Sequence, residues 1–160
     1  MKEIKFTDTQ KKLTEQDFRL IEQDLGISIP IQLRNHYFNY NGGTPDRTIF
    51  YDPIGRFDYI EIRDFIPMLY NKDFEDDQDY TLNGLAKLGW NETTIPRDLL
   101  PFALDWGGNY LCISLTTEEI YFFARDILSD NLTIDSNFKV NTRLLCKSFN
   151  EFIDSLEIEE

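Results

Sequence analysis

The sequence is poor in the residues that most often build metal centres and nucleophilic active sites. It holds one histidine and two cysteines among 160 residues. A zinc-protease helix needs two histidines, and a Ser-His-Asp triad needs a base beside its nucleophile. His36 lies in a helical segment without a strand-to-helix elbow around it, which indicates a partly exposed surface residue. The sequence therefore predicts no catalytic residues, no metal and no cofactor.

The two cysteines also lack a recognisable site. Cys112 and Cys146 do not have metal-ligand spacing, and both lie in segments with a strand pattern. The N-terminus has no apolar region typical of an export signal, so a disulfide is not expected and the cytoplasm is the expected compartment. We predict two buried, unreactive thiols.

Positive charge is scarce as well. The chain has 16 Lys and Arg against 29 Asp and Glu, a formal net charge of −13. That balance argues against binding to a phosphate backbone or to an anionic membrane surface, since both need clustered cations. No apolar run reaches the roughly 18 residues that span a bilayer. The expected partners include neither nucleic acid nor membrane.

Apolar and aromatic residues, by contrast, are plentiful. Hydrophobic residues make up 41% of the chain and aromatic residues 14%. This content is too high for a disordered chain, and the length fits a single domain over residues 1–160. We expect one globular domain, with the monomer as the favoured state.

The N-terminal third predicts a pair of helices. Thr14 and Asp17 fit a capping box, and an apolar stripe follows over residues 15–25, ended by Gly26. A second helix is predicted to begin at Pro30, because proline suits the first helical position. The turn residues that end it, which tolerate positive φ, are Asn41, Gly42 and Gly43.

The middle and the end of the chain change to strand patterns. Residues 49–51 and 57–62 predict a hairpin around a turn at 52–55, and residues 70–95 predict a loop insertion. Segments starting at Pro101, Tyr110 and Ile120 predict a three-stranded antiparallel meander on short turns, covered on both faces. Residues 142–146 predict a last strand, and a capped helix with an apolar stripe follows Ser148. The fold class is α+β: an antiparallel sheet packed by an N-terminal helix pair and a C-terminal helix.

Two glycine pairs and one carboxylate could in principle contribute to a site. Gly42-Gly43 and Gly107-Gly108 could approach a ligand closely, but such pairs more often supply positive φ for a turn. Asp105 could serve as an acid or base at the sheet rim. No second carboxylate is fixed beside it by the sequence, so we predict that Asp105 instead binds the turn backbone.

The sharpest local feature is an acidic run over residues 73–79 that contains one aromatic side chain and is followed by another. It does not match a calcium-binding EF-hand loop, whose sixth residue is Gly where this run has Gln78. Two interpretations stay open: a solvated charge run, or a docking surface for a basic partner with two apolar anchors. The residues of this predicted partner-binding segment are Asp73, Phe74, Glu75, Asp76, Asp77, Asp79 and Tyr80.

Three stretches resemble the SMI1/KNR4 family of the SUKH superfamily. The first runs from Ile21-Glu22 through Ile29-Pro30 to Asn41-Gly42-Gly43-Thr44-Pro45, like the family's helix pair and its Asn-Gly-Gly turn. The second begins Leu100-Pro101-Phe102-Ala103 and continues through Asp105-Trp106-Gly107-Gly108 into a strand, like the family's central signature. The third, Ser148-Phe149-Asn150-Glu151-Phe152, is similar to its closing helix. Together they span roughly residues 13–156.

The resemblance implies an α+β fold and, as for most bacterial members, an immunity protein that binds a cognate toxin domain, often a nuclease. Fungal members resemble regulators or scaffolds of cell-wall signalling. The family has no established catalytic residues, so none are carried over. Asn109 stands where the family often has Asp, which speaks against a charged site at this turn. The segment around 70–95 matches nothing in the family pattern.

Three functions therefore remain open. The favoured one is a bacterial immunity protein that neutralises a basic toxin by direct association through its acidic surface. The second is a non-catalytic scaffold or regulatory domain that binds other proteins. The third is a small hydrolase that uses Asp105, His36 or Glu118. The sequence favours the first because of its charge, its signature and its lack of a catalytic set.

Overall fold

The computed structural model describes residues 3–53, 59–125 and 128–159. Within these ranges a helix pair precedes most of the strands and a helix closes the chain. The helices are α1 (Glu15–Leu25), α2 (Ile31–Asn39), α3 (Leu82–Asn91), α4 (Ile134–Asn141) and α5 (Phe149–Ser155), with a short 3-10 helix at Gln78–Tyr80. The strands are β1 (Phe6–Thr7), β2 (Thr44–Pro45), β3 (Ile49–Phe50), β4 (Ile60–Phe65), β5 (Leu99–Asp105), β6 (Tyr110–Ser114), β7 (Ile120–Phe123) and β8 (Thr142–Cys146).

One antiparallel sheet contains β3 to β8, and its strand order is the chain order. The predicted meander of β5, β6 and β7 is confirmed, with β4 and β8 added on either side. β5 begins at Leu99 rather than Pro101, and its register with β6 shifts between Pro101 and Ala103. A proline cannot donate to the ladder, so a central strand accepts it only at such an irregularity. β1 and β2 form a separate pair, with Phe6 opposite Pro45.

The sheet is covered on both faces, as predicted. The larger core cluster joins one face to side chains of α1, α2 and α5, including Phe18, Tyr37 and Phe152. A smaller cluster lies on the other face around Tyr110, Cys112 and Phe123, with Trp90 of α3 and Phe138 of α4 packed against it. All residues of β6 are buried, so β6 is the centre of the fold.

The helix pair forms where the sequence places it. Thr14 and Asp17 make both hydrogen bonds of the capping box, and Gly26 ends α1 at φ 67°. α2 begins at Ile31, one residue after the predicted start, and Pro30 takes the N-cap position. Tyr37 faces the core, where its hydroxyl donates to the carbonyl oxygens of Ile66 at 2.7 Å and Phe102 at 3.1 Å. α2 is thereby tied to β5.

The prediction of a loop insertion over 70–95 is wrong in its second half. α3 begins after Thr81, whose hydroxyl accepts a hydrogen bond from the Gly84 N–H at 3.1 Å. Gly84 and Gly89 lower helix propensity, but both are sites of close packing. A Cβ at Gly89 would lie 2.3 Å from Ile95, and one at Gly84 would lie 1.8 Å from the Gln78 carbonyl oxygen. Tertiary contact therefore outweighs propensity here.

The two edge strands of the sheet have different neighbours. The predicted hairpin is confirmed in its strands: Ile49 of β3 lies opposite Glu61 of β4. Residues 54–58, which include the end of the predicted turn at 52–55 and the predicted start of the second strand at 57, lie outside the described part of the chain. The outer side of β3 is closed by Glu157, which exchanges both backbone hydrogen bonds with Ile49 at 2.9 and 3.0 Å. α4, which was not expected, precedes β8 at the opposite edge.

Among the described helices, none has the length and apolar content needed to cross a bilayer.

Candidate functional site

The acidic run belongs to a compact loop, residues 71–81, which we call the acidic loop. The Asn71 side-chain amide donates to the Tyr80 carbonyl oxygen at 3.0 Å and so closes the base of the loop. Its Oδ1 accepts from the Asp73 N–H at 3.2 Å, and Asp77 accepts from the Asp79 N–H at 3.0 Å. Further backbone turns place the 3-10 helix at its end. These internal bonds fix the loop's shape before any partner arrives.

The acidic loop is also tied to the rest of the protein. The Gln78 side-chain amide donates to the Leu69 carbonyl oxygen at 3.3 Å, and the Lys72 N–H donates to Gln10 at 2.9 Å. Thr81 ends the loop and caps α3, with its hydroxyl donating to the Gln78 carbonyl oxygen at 2.5 Å. The loop is therefore an extension of α3 and not an independent flap.

The carboxylates of this loop face solvent and form no ion pair with a described cation. Ion pairs among the described residues join Arg34 to Glu15, Arg47 to Asp46, Arg63 to Asp64 and Lys87 to Asp24. None of these pairs involves a carboxylate of the acidic loop. Exposed carboxylates this close together create a negative potential that attracts a cationic surface. The residues concerned are Asp73, Glu75, Asp76, Asp77 and Asp79.

Two aromatic rings stand among these charges. Phe74 and Tyr80 stack with their ring centroids 3.8 Å apart and their planes at 11°. Phe74 is 45% exposed and Tyr80 is 49% exposed, so the stack leaves apolar surface in contact with water. Large aromatic side chains held rigidly at a surface are the usual anchors of protein interfaces.

A groove of about 630 Å³ runs beside the stacked pair. Asp73, Phe74, Asp79 and Tyr80 line it from the acidic loop, and Leu104 and Tyr110 line it from the sheet. Gly43 and Gly108 border it as well. The fold thus brings the acidic run and one glycine of each Gly-Gly turn to the same concavity, although they are far apart in the sequence.

The Asn-Gly-Gly turn beside the groove links separate segments of the fold. The buried Asn41 side chain donates to the carbonyl oxygens of Lys11 at 2.9 Å and Met68 at 3.0 Å, and accepts from the Met68 N–H at 2.7 Å. Gly43 has φ 97°, and a Cβ there would lie 2.4 Å from the Thr7 carbonyl oxygen. Gly42 has φ 73° and packs against Pro67. These residues connect β1 and the segment that precedes α1 to the end of β4.

Asp105 holds the second Gly-Gly turn. Its two oxygens accept from the Asn109 N–H at 2.7 Å and from the Asn109 side-chain amide at 3.2 Å. The Asn109 Oδ1 in turn accepts from the Arg125 N–H at 2.9 Å. An aspartate at 109 could not donate to Asp105, so the asparagine suits this turn. Gly108 has φ 81°, and Gly107 has ordinary φ.

The residues of the hydrolase alternative lie apart. Asp105 ends β5 and Glu118 lies in the turn between β6 and β7, so the two carboxylates stand at opposite ends of β6. His36 lies on α2 against the rings of Phe6 at 4.8 Å and Phe149 at 5.3 Å between centroids. Burial lowers the pKa of His36 from 6.5 to about 4, which makes it a poor base near neutral pH.

The two cysteines are free thiols. Cys112 is fully buried, and that burial raises the pKa of its thiol far above the usual range. Burial also raises the pKa of Cys146 to about 11. Neither thiol is a good nucleophile near neutral pH, because the thiolate is the reactive form. Among the residues that the structure describes, no group of three or more His, Cys, Asp or Glu side chains is placed to hold a metal ion.

Sequence reasoning missed the basic members of the groove. Arg63 and Arg125 both line it, and Arg125 lies just after β7 with its guanidinium 4.4 Å from the centre of the Tyr110 ring. Nothing in their sequence neighbourhoods sets these arginines apart from others in the chain. Their juxtaposition depends on sheet register, which pairs Tyr110 of β6 with Phe123 of β7.

Comparison with known protein families gives a match over most of the chain. A family model described as SMI1 / KNR4 family (SUKH-1) covers residues 12–155 of the chain. The matched range includes α1 to α5, the acidic loop and both Gly-Gly turns. No curated protein sequence matches the chain.

Proposed function

Because the chain belongs to the SMI1/KNR4 family (SUKH-1), we propose that it is an immunity protein that binds a cognate toxin domain and blocks the toxin's active site. In this proposal the acidic loop docks on a basic face of the toxin, and the stacked Phe74–Tyr80 pair anchors the contact. A nuclease is the toxin class that fits best, since nucleases carry cations where they hold phosphates.

One observation carries the proposal. Carboxylates without an ion pair to a described residue and exposed aromatic rings lie together on a loop that hydrogen bonds hold in place. The loop carboxylates make no ion pair with a described residue, and the stacked rings between them are about half exposed. The hydrogen bonds from Asn71 and Gln78 hold the loop in place, so binding costs little ordering entropy. Negative potential speeds the encounter, and the aromatic pair supplies apolar burial.

The decisive experiment is a rescue assay. The C-terminal domain encoded by the neighbouring gene is expressed in a sensitive host with and without this protein. Killing that this protein reverses supports the proposal, and direct binding of the two purified proteins establishes the mechanism. Killing that this protein does not reverse contradicts the assignment of that domain as its toxin.

The role of the acidic loop is tested by neutralising it. Replacing its five carboxylates by Asn and Gln should lower the association rate with the toxin by about tenfold or more at low salt and flatten the salt dependence. A control variant removes five other exposed carboxylates, which gives the same change of net charge: Glu92, Glu118, Asp130, Asp135 and Glu159. Equal losses in the two variants would show that only net charge matters and that the loop is not the interface.

A scaffold function is the second candidate, and a separate observation favours it. Trp106 is 66% exposed at the β5–β6 turn, and Tyr51 and Tyr59 form another exposed pair with ring centroids 6.4 Å apart. These side chains lie outside the acidic loop and offer further exposed aromatic surface to other proteins. A scaffold would bind housekeeping proteins, and its deletion would not sensitise the cell to a toxin.

A further inference from the structure

The groove beside the acidic loop carries charge of both signs. Its loop side presents Asp73 and Asp79, whereas Arg125 and Arg63 line it from the sheet. We propose that the Arg125 guanidinium binds a carboxylate of the same partner whose cationic side chains dock on the acidic loop. This inference rests on the proposed function and deepens it, because it states the chemistry of the docking segment: a cation and a carboxylate separated by a fixed distance.

Arg125 is held in a defined position. Its guanidinium stacks over the Tyr110 ring at 4.4 Å, and its Nη1 donates to the Tyr110 hydroxyl at 2.6 Å and to the Gly108 carbonyl oxygen at 3.3 Å. Its backbone N–H donates to Asn109 at 2.9 Å. A long side chain that is already ordered loses little entropy when it binds.

The Arg125 guanidinium has hydrogen-bond donors that these bonds do not use. It has five N–H donors, of which the bonds to Tyr110 and Gly108 use only Nη1. Arg125 is exposed and forms no ion pair with a carboxylate among the residues that the structure describes. Arg63, in contrast, is paired with Asp64 at 2.9 Å. Arg125 is therefore the better receptor for an incoming carboxylate.

The surroundings strengthen such a contact. Leu104 and Tyr110 line the groove and reduce the water around a bound carboxylate. A carboxylate that meets a planar guanidinium can form two parallel charge-assisted hydrogen bonds, which adds directional specificity. A purely basic segment would gain from the acidic loop but be repelled by Arg125. The groove thus selects partner segments that carry both signs and fixes their direction.

The test uses synthetic peptides in place of the toxin. The probes are acetylated, amidated peptides with one Lys and one Glu joined by linkers of about one to five glycines, and matched peptides with Gln in place of Glu. Binding is followed by NMR titration of the amide signals of the intact protein. At the linker length that spans the groove, we expect the Glu peptide to bind about fivefold more tightly than its Gln analogue. The largest signal changes should fall on Gly108, Tyr110 and Arg125.

A matched control shows whether any arginine that lies over an aromatic ring would give the same effect. Arg97 also stacks on an aromatic ring, at 4.1 Å from Trp90, and also donates to a backbone carbonyl oxygen, that of Leu25 at 3.4 Å. Arg125→Gln should abolish the gain from Glu, Arg125→Lys should keep only part of it, and Arg97→Gln should leave it unchanged. The amide spectrum of each variant shows whether it is folded. If Arg125→Gln does not fold, Arg125→Lys provides the test.

Two results would overturn the inference. One is equal affinity for Glu and Gln peptides at every linker length, and the other is a gain that survives Arg125→Gln. Neither result affects the proposed function, which the rescue assay decides. A protein that rescues cells but fails this titration is an immunity protein whose groove does not hold a partner carboxylate.

Discussion

Replacement of Asn41 by Leu measures how strongly the Asn-Gly-Gly turn stabilises the fold. Leu has a similar volume but can neither donate nor accept, so the buried Met68 N–H loses its side-chain acceptor, whereas the Met68 C=O keeps the hydrogen bond from the Tyr70 N–H at 2.6 Å. A buried backbone group left unsatisfied costs about 1–3 kcal/mol, so we expect a loss of that size in unfolding free energy. That is a substantial part of the roughly 5–15 kcal/mol typical of a domain.

Replacement by Asp separates the donor from the acceptor. An aspartate at this position can still accept from the Met68 N–H, but it faces two carbonyl oxygens where the amide donated. Its pKa should therefore rise on folding, since protonation restores a donor. A group with a raised folded pKa loses stability as the pH rises through the range between its unfolded and folded values. The deficit of Asn41→Asp relative to wild type should thus shrink towards low pH, whereas that of Asn41→Leu should not.

Urea unfolding followed by circular dichroism at neutral pH and at about pH 5 measures both effects. Asn39→Leu is the matched control, because the Asn39 amide makes one exposed hydrogen bond to Asn35 at 3.2 Å. We expect that control to lie within about 0.5 kcal/mol of wild type. If Asn41→Leu cost no more than Asn39→Leu, the hydrogen bonds of Asn41 would not be the reason for its place in the turn.

Two further predictions concern the same half of the molecule. Gly43→Ala should destabilise by about 2–5 kcal/mol in urea unfolding, because the new Cβ combines positive φ with a clash at the Thr7 carbonyl oxygen. Gly108→Ala is its control: Gly108 has φ 81° but open space around it, so a cost as large as that of Gly43→Ala would contradict the steric part of the argument. The pKa of His36 is about 4 in the folded state against 6.5 for an unperturbed histidine, so the unfolded chain binds the extra proton in that window. The free energy of unfolding should therefore fall by up to about 3 kcal/mol as the pH drops from 6.5 to about 4. His36→Phe should remove that part of the pH dependence, and an unchanged profile would show that carboxylates alone cause it.

Local signals predicted the elements that local chemistry determines. The hydrogen bonds of Thr14 and Asp17 and the left-handed Gly26 set the ends of α1, and all three can be read from neighbouring residues. The meander was predictable for the same reason, since its short turns leave only antiparallel neighbours. α3 was missed because its glycines are explained by contacts with Ile95 and Gln78, which the local pattern does not contain. α4 was missed although Thr133 caps it, because its exposed residues give little apolar periodicity.

The candidate site was predictable only in part for a similar reason. The acidic run, Phe74 and Tyr80 are adjacent in the sequence, so their charge and aromatic content could be seen directly. The ring stacking and the bracing by Asn71 depend on the loop closing on itself. The approach of Gly43, Gly108 and Arg125 to the loop depends on the whole sheet being assembled. Residues brought together by strand register have no signature in a single sequence.

The way the acidic loop is braced has a consequence for how its specificity can evolve. Its shape depends on backbone turns, on the amides of Asn71 and Gln78, and on the cap by Asp77. Four of its carboxylates make no side-chain hydrogen bond with a described residue, and they can change without altering that shape: Asp73, Glu75, Asp76 and Asp79. Selection for a new partner can therefore proceed by single surface substitutions that leave folding untouched. The fold can stay constant over a lineage while the identity of the protein it binds changes.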